Sequence, residues 1–182
     1  MANFRLEDDT KERLSLLIKE RFPWLLIGLI GGILATLLMS NFEETLSKNL
    51  SLAFFLPVII YMSDAIGTQT ENIYVRNLSK FKDNFWKYLG KEIFIGLSFG
   101  IIFGLLLSLF ANFWLGDINV AKTVGLAMLI NGTIAPVVAL IVPEIIFKEH
   151  SDPALGAGPF TTVIQDLISL SIYLLVASII IF

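Results

Sequence analysis

Asp166 is a carboxylate near the middle of the last hydrophobic segment of this 182-residue chain. From Pro153 to Phe182 the residues are apolar or small, apart from hydroxyls, Gln165 and this one acid. At a helical rise of about 1.5 Å per residue, Asp166 lies roughly 20 Å from Asp152 and roughly 24 Å from Phe182, too far for a short side chain to reach either end. A charge at a bilayer centre costs at least about 2.5–3.5 kcal/mol, so such groups face a cavity, a partner or an ion. The predicted chemistry is the handling of a cation inside the membrane. Thr162 stands one turn before Asp166 on the same helix face, and Gln165 immediately precedes it.

A second polar stretch reads Tyr61-Met62-Ser63-Asp64-Ala65-Ile66-Gly67-Thr68-Gln69-Thr70-Glu71-Asn72. Asp64 and Glu71 are seven residues apart and share a helix face, with Thr68 between them. A carboxylate–hydroxyl–carboxylate stripe suits a wet vestibule that concentrates cations. A helix end whose polar groups simply meet water would give the same pattern.

A hard divalent cation takes oxygen ligands, and magnesium keeps most of its water while contacting one or two carboxylates. One Asp166 per chain makes too small a site. Two copies facing across a two-fold axis supply two carboxylates with Thr162 hydroxyls nearby, which predicts a homodimer. The candidate metal-contacting residues are Asp166, Thr162, Gln165, Asp64, Thr68 and Glu71. A divalent ion entering a negative-inside cell gains about 4.6 kcal/mol per 100 mV, so uptake needs no coupled ion. No Walker or phosphorylation signature accompanies these residues, and no catalytic or cofactor-binding residue is expected.

The elements that position these groups are membrane spans. Hydrophobic residues make up 55% of the chain and charged residues 16%, with a mean hydropathy of +0.78; a soluble domain has no use for so much apolar surface. Five segments are long enough to cross a core of about 30 Å: Pro23–Ser40, Leu50–Asn72, Ile93–Leu115, Val120–Phe147 and Pro153–Phe182. The fold class is an all-α membrane protein, with residues 1–22 as a short amphipathic helix at the cytoplasmic interface and residues 23–182 as the ion-conducting domain. That short helix, read over residues 4–22, rests in the headgroup layer or plugs the pore from below.

Of the 13 basic residues, 11 fall before the first span, after the second or between the fourth and fifth; only Lys48 and Lys122 fall on the other side. The positive-inside rule places the N-terminus in the cytoplasm of a multi-pass cell-membrane protein. The charged N-terminal stretch is not a cleavable signal peptide. With no cysteine, disulfides, thiolate metal sites and cysteine nucleophiles are excluded; His150, the one histidine, lies in a loop. The expected partners are divalent cations, the lipid bilayer and a second copy of the chain; no nucleic acid is expected.

Other positions read as scaffolding. Gly28 and Gly32, and again Gly96, Gly100 and Gly104, have the spacing that lets membrane helices approach closely. Pro136 and Pro143 interrupt the fourth span after Asn131-Gly132-Thr133, which fits either a pathway or a packing kink. Glu144 joins the acidic vestibule or pairs with a lysine. Asp152 and Pro153 are helix-start chemistry for the fifth span.

Residues 20–182 resemble the membrane domain of the MgtE magnesium channel family and its animal solute-carrier relatives. The resemblance rests on Asp152-Pro153-Ala154-Leu155-Gly156-Ala157-Gly158-Pro159-Phe160-Thr161-Thr162, then Gln165-Asp166 and a long apolar tail. It implies a dimer whose central pore is lined by the second and fifth helices, with magnesium as the transported ion coordinated at Asp166 and no cofactor. Asp64 to Gln69 resembles the family's polar second-helix motif but departs from it, with Asp64 in place of an asparagine and Ile66 inserted before Gly67. Bacterial members carry cytoplasmic regulatory domains, whereas about 22 residues precede the first span here. The gate is then a separate cytoplasmic subunit, was removed, or is absent.

Two other readings use the same acids. A sodium- or proton-coupled divalent cation exchanger shares every residue of the channel. An intramembrane aspartyl protease would use Asp64 and Asp166 sharing a proton, but Ile164 occupies the position where that chemistry has glycine.

Overall fold

A computed structural model describes residues 12–78, 84–148 and 153–181. Six helices follow in order: α1 (Leu14–Ser40), α2 (Glu43–Lys48), α3 (Ser51–Leu78), α4 (Phe85–Leu115), α5 (Ile118–Lys148) and α6 (Pro153–Ile181). All but α2 are long and apolar enough to cross a membrane. These five correspond to the five predicted spans.

The differences lie at the ends. The predicted helix over residues 4–22 falls partly outside the described residues; from Leu14 the chain is already α1, which continues through Pro23 as one helix. Helix α2 was not expected, being six residues long with only Thr45 and Leu46 buried. His150 and Asp152 lie outside the described residues, and Pro153 opens α6.

Helix α5 is the centre of the chain and packs against α3, α4 and α6. Both of its prolines stay within one helix, and Pro136 packs beside Gly96 of α4. Pro136 thus serves as a packing contact between α4 and α5. A Cβ on Gly100 would stand 2.6 Å from the Leu129 carbonyl oxygen of α5, and one on Gly104 would stand 2.7 Å from that of Gly125. The glycine steps of α4 therefore join helices within one chain, at a backbone approach that only glycine permits.

Helix α1 packs mainly on α6. Its exposed Leu25, Leu29, Ile33 and Leu37 recur every four residues and form an apolar outer ridge. Lipid is the natural solvent for such a ridge, because hydrocarbon tails are as apolar as leucine.

On the face opposite the expected cytoplasm, a left-handed Gly116 (φ 65°) ends α4, and Asp117 starts α5. Asp117 Oδ1 accepts from the backbone N–H groups of Asn119 (2.9 Å) and Val120 (3.3 Å). Asn49 Nδ2 donates to Asp117 Oδ2 at 2.8 Å, while Asn49 Oδ1 accepts from Ser51 N at 3.1 Å. One asparagine thus caps α3 and ties it to the α4–α5 turn. Partial burial pushes the Asp117 carboxyl up, but the bonds from Val120, Asn49 and Asn119 outweigh it and hold the group below its ordinary range.

Candidate functional site

Helix α6 turns two chemically different faces to its neighbours. Asp166, Thr162 and Pro159 line a groove of about 400 Å³ between α6 and α1, whose α1 wall includes Gly28, Gly31 and Gly32. Gln165 is one residue, about 100° of helix, away and points elsewhere. It is 1% exposed; its Nε2 donates to Ser63 Oγ of α3 at 2.6 Å and more weakly to Ser169 Oγ at 3.4 Å. The Ser169 hydroxyl donates to Ser63 Oγ at 2.7 Å. Asn131 of α5 joins this core by donating to the Ser169 carbonyl at 3.3 Å. The α3–α5–α6 junction is therefore a polar clasp, a bonding pattern that suits an interior next to hydrocarbon.

The groove carries the charge. Thr162 Oγ1 donates to Asp64 Oδ1 at 3.3 Å, linking α6 to α3. The Asp64 and Asp166 carboxylates are within electrostatic reach of one another. No described residue donates a hydrogen bond to Asp166. A half-buried carboxylate with a like-charged neighbour and no donor among the described residues is electrostatically unsatisfied.

Three of the six predicted residues, Asp166, Thr162 and Asp64, are thus brought together. Gln165 is beside them but committed to the clasp. Thr68 is on the outward face of α3 with Ala65, Gln69 and Asn72, all exposed. Glu71 is turned inward, 7% exposed, with Thr161 of α6 facing it. Among the described residues no three acidic or histidine side chains converge as a metal cage.

Some polar contacts were not foreseen. Ser63 and Ser169 were hidden because serine is common in membrane helices; the four-residue spacing of Gln165 and Ser169 was the available signal. Near the expected cytoplasmic end, Thr70 donates to Glu92 at 2.9 Å. Glu144 takes the second of its two predicted roles: it pairs with Lys148 at 3.1 Å and accepts from the Tyr74 hydroxyl at 2.6 Å.

Residues 56–176 match the family model MgtE, described as a divalent cation transporter. The chain belongs to the MgtE family. Among its relatives is a magnesium transporter MgtE of Enterococcus faecalis, 33% identical over 163 residues, which cover 87% of this chain and 36% of the relative. The magnesium transporter MgtE of Bacillus subtilis is 29% identical over 161 residues, covering 87% and 36%. That of Thermus thermophilus is 28% identical over 162 residues, covering 86% and 35%. The chain spans about a third of the length of these relatives. MgtE membership and five apolar helices make it a multi-pass membrane protein of a transporter family, not an enzyme, which sets the protease reading aside.

Proposed function

We propose that the chain transports a divalent cation, Mg2+, through a homodimeric pore lined by α3 and α6, with Asp166 binding the partly hydrated ion. The observation that carries this reading is the unpartnered Asp166 carboxylate beside Asp64 in an open groove. The relatives named magnesium transporters support the choice of ion. The dimer is supported by the outward face of α3, where Tyr61 is 70% exposed and Ala65, Thr68, Gln69 and Asn72 are open. A second copy would bring two such faces together, giving the ion two Asp166 and two Asp64 groups. In this reading Thr162 holds Asp64, Thr68 lines the pore, Glu71 attracts ions near the cytoplasmic end, and Gln165 keeps α6 in register.

The test is Mg2+ uptake into proteoliposomes loaded with a magnesium-sensing dye, comparing the native chain with Asp166→Ala at several imposed potentials. Voltage-driven uptake lost in the variant, with its oligomeric state unchanged, is the expected result. Uptake that follows a sodium or proton gradient instead of voltage would make the chain an exchanger. Equal uptake by both proteins would remove Asp166 from the pathway.

A further inference from the structure

Glu71 is the buried acid of α3. Thr161 of α6 faces it, and its charged neighbour is another acid, Asp64. Among the described residues no lysine or arginine pairs with it. A carboxylate enclosed between helices in a membrane is costly unless it gains a proton or a counter-charge.

Two neutral oxygens on this side of α6 are also short of partners. Thr161 and Gln165 are one turn apart and buried, and among the described residues neither Thr161 Oγ1 nor Gln165 Oε1 has a hydrogen-bond partner. Gln165 spends its Nε2 on Ser63 and Ser169. Its Oε1 is turned toward Gly67, one turn before Glu71 on α3: a Cβ on Gly67 would stand 3.5 Å from Oε1 and 3.6 Å from the Ala135 carbonyl oxygen of α5. These are ordinary contacts, so packing does not demand glycine there; the missing side chain leaves the Oε1 face open. Ala139 borders the same position at 3.8 Å. Its carbonyl has no helical donor, because the residue four places on is Pro143, which carries no N–H. Helices α3, α5 and α6 thus supply a carboxylate, a hydroxyl, an amide oxygen and backbone carbonyls at one junction.

A proton on Glu71 would remove its charge and leave Gln165 Oε1 unpaired. A water would pair Gln165 and leave the charge. One small cation stripped of its water answers both. Mg2+ is the wrong ion for such a place, since it sheds water reluctantly and demands near-octahedral geometry. Na+ is held inside membrane proteins by the carbonyls of interrupted helices. We infer that Glu71, Thr161 and Gln165 bind a dehydrated Na+ at the α3–α5–α6 junction, in the space that Gly67 leaves open. The site is on the core side of α6, away from the Asp166 groove, and takes a different ion from the one proposed for transport. It narrows the role given to Glu71 above from attracting ions to holding one, and it does not depend on the transport reading.

The experiment is the thermal midpoint of the full chain in detergent, free of divalent ions, as Na+ replaces choline at constant ionic strength. A ligand bound only by the folded state raises the midpoint with its concentration; at about a hundredfold over its dissociation constant the rise should be about 5–10 °C. Glu71→Gln, which keeps the shape and removes the charge, should flatten the Na+ dependence. Gly67→Ala, whose methyl group fits without collision but covers Gln165 Oε1, should fold and respond to Na+ much less than the native chain. Asp166→Ala should respond as the native chain does. A native midpoint indifferent to Na+ overturns the inference and leaves Glu71 neutralised by a proton. A native-sized rise in both Glu71→Gln and Gly67→Ala overturns it too, as does loss of the rise in Asp166→Ala, which would place the Na+ in the groove. None of these outcomes bears on Mg2+ uptake, so the transport reading stands or falls by its own test.

Discussion

The Thr162 hydroxyl of α6 donates to Asp64 Oδ1 of α3 at 3.3 Å, one turn before Asp166 on its own helix. Among the described residues, one acid of the pair thus has a donor and the other has none. Asp64 is restrained against α6, and in the proposed function Asp166 is the acid that meets the ion. Because the bond joins the two proposed pore helices, it also couples their spacing to the charge of the groove.

Replacing Thr162 with valine keeps the shape and removes the donor. In Thr162→Val the Asp64 carboxylate loses its restraint, and the concentration of Mg2+ giving half-maximal uptake should rise about tenfold, as expected from a hydrogen bond to a charged group of about 1.5 kcal/mol. Thr162→Ser should behave like the native chain. A concentration series of uptake for both variants decides the point; equal curves for serine and valine would show that the hydroxyl contributes nothing.

Ser63 accepts from both Gln165 and Ser169. Ser63→Ala should therefore leave two buried donors short of a partner and lower stability by about 1–2 kcal/mol, with membrane-embedded hydrogen bonds averaging nearer 0.6 kcal/mol each. Ser98, which donates only to Phe94 of its own helix, is the control, and Ser98→Ala should change little. Thermal unfolding in detergent compares the two. An equal effect would mean that the clasp does not hold α3 to α6.

The spans were legible because a long apolar run has one physical reading in a chain this hydrophobic. The six-residue α2 was not, since two buried side chains in a short loop leave no periodic signal. Within the candidate site, type and spacing singled out Asp166, Thr162 and Asp64, which the fold brings near one another. They could not tell that Gln165, one residue from Asp166, faces a different neighbour, because that depends on where α3 and α5 pack. The stripe of Asp64, Thr68 and Glu71 shows the same limit. Its members lie within about 60° on a helix of 3.6 residues per turn, yet the edge of the packed surface passes between them, leaving Thr68 exposed and Glu71 buried. The glycine steps of α4 announced a close approach, but only the fold shows that the partner is α5 of the same chain.

That approach gives opposite outcomes for one substitution at two positions of α4. Gly100→Ala would place its Cβ 2.6 Å from a backbone oxygen, whereas at Gly90 no atom lies within 4 Å. Overpacking against backbone costs about 1–3 kcal/mol, so Gly100→Ala should unfold at lower temperature. Gly90→Ala should be neutral or more stable by about 0.5–1 kcal/mol. Thermal midpoints of the two variants settle it, and similar values would mean that α4 and α5 are not in close contact.

Asp117 makes the turn between α4 and α5 sensitive to acid. Hydrogen bonds hold its folded-state pKa below the ordinary value of 3.8, so the folded state favours the carboxylate. The resulting stabilisation is fully present above the ordinary value, where Asp117 is ionised whether folded or not. It is lost as pH falls through the folded-state pKa, because the unfolded chain takes up its proton first. Asp117→Ala also removes the cap of α5 and the tie to Asn49, and at pH 7 should cost about 1 kcal/mol, the usual size of a lost N-cap. The gap between native and variant thermal midpoints should be constant from pH 7 down to about pH 5 and shrink below about pH 4 as the native carboxylate is neutralised. A gap that stayed constant to pH 3 would show that the bonds to Asn49, Asn119 and Val120 favour neither protonation state, and that the turn is held by its backbone geometry alone.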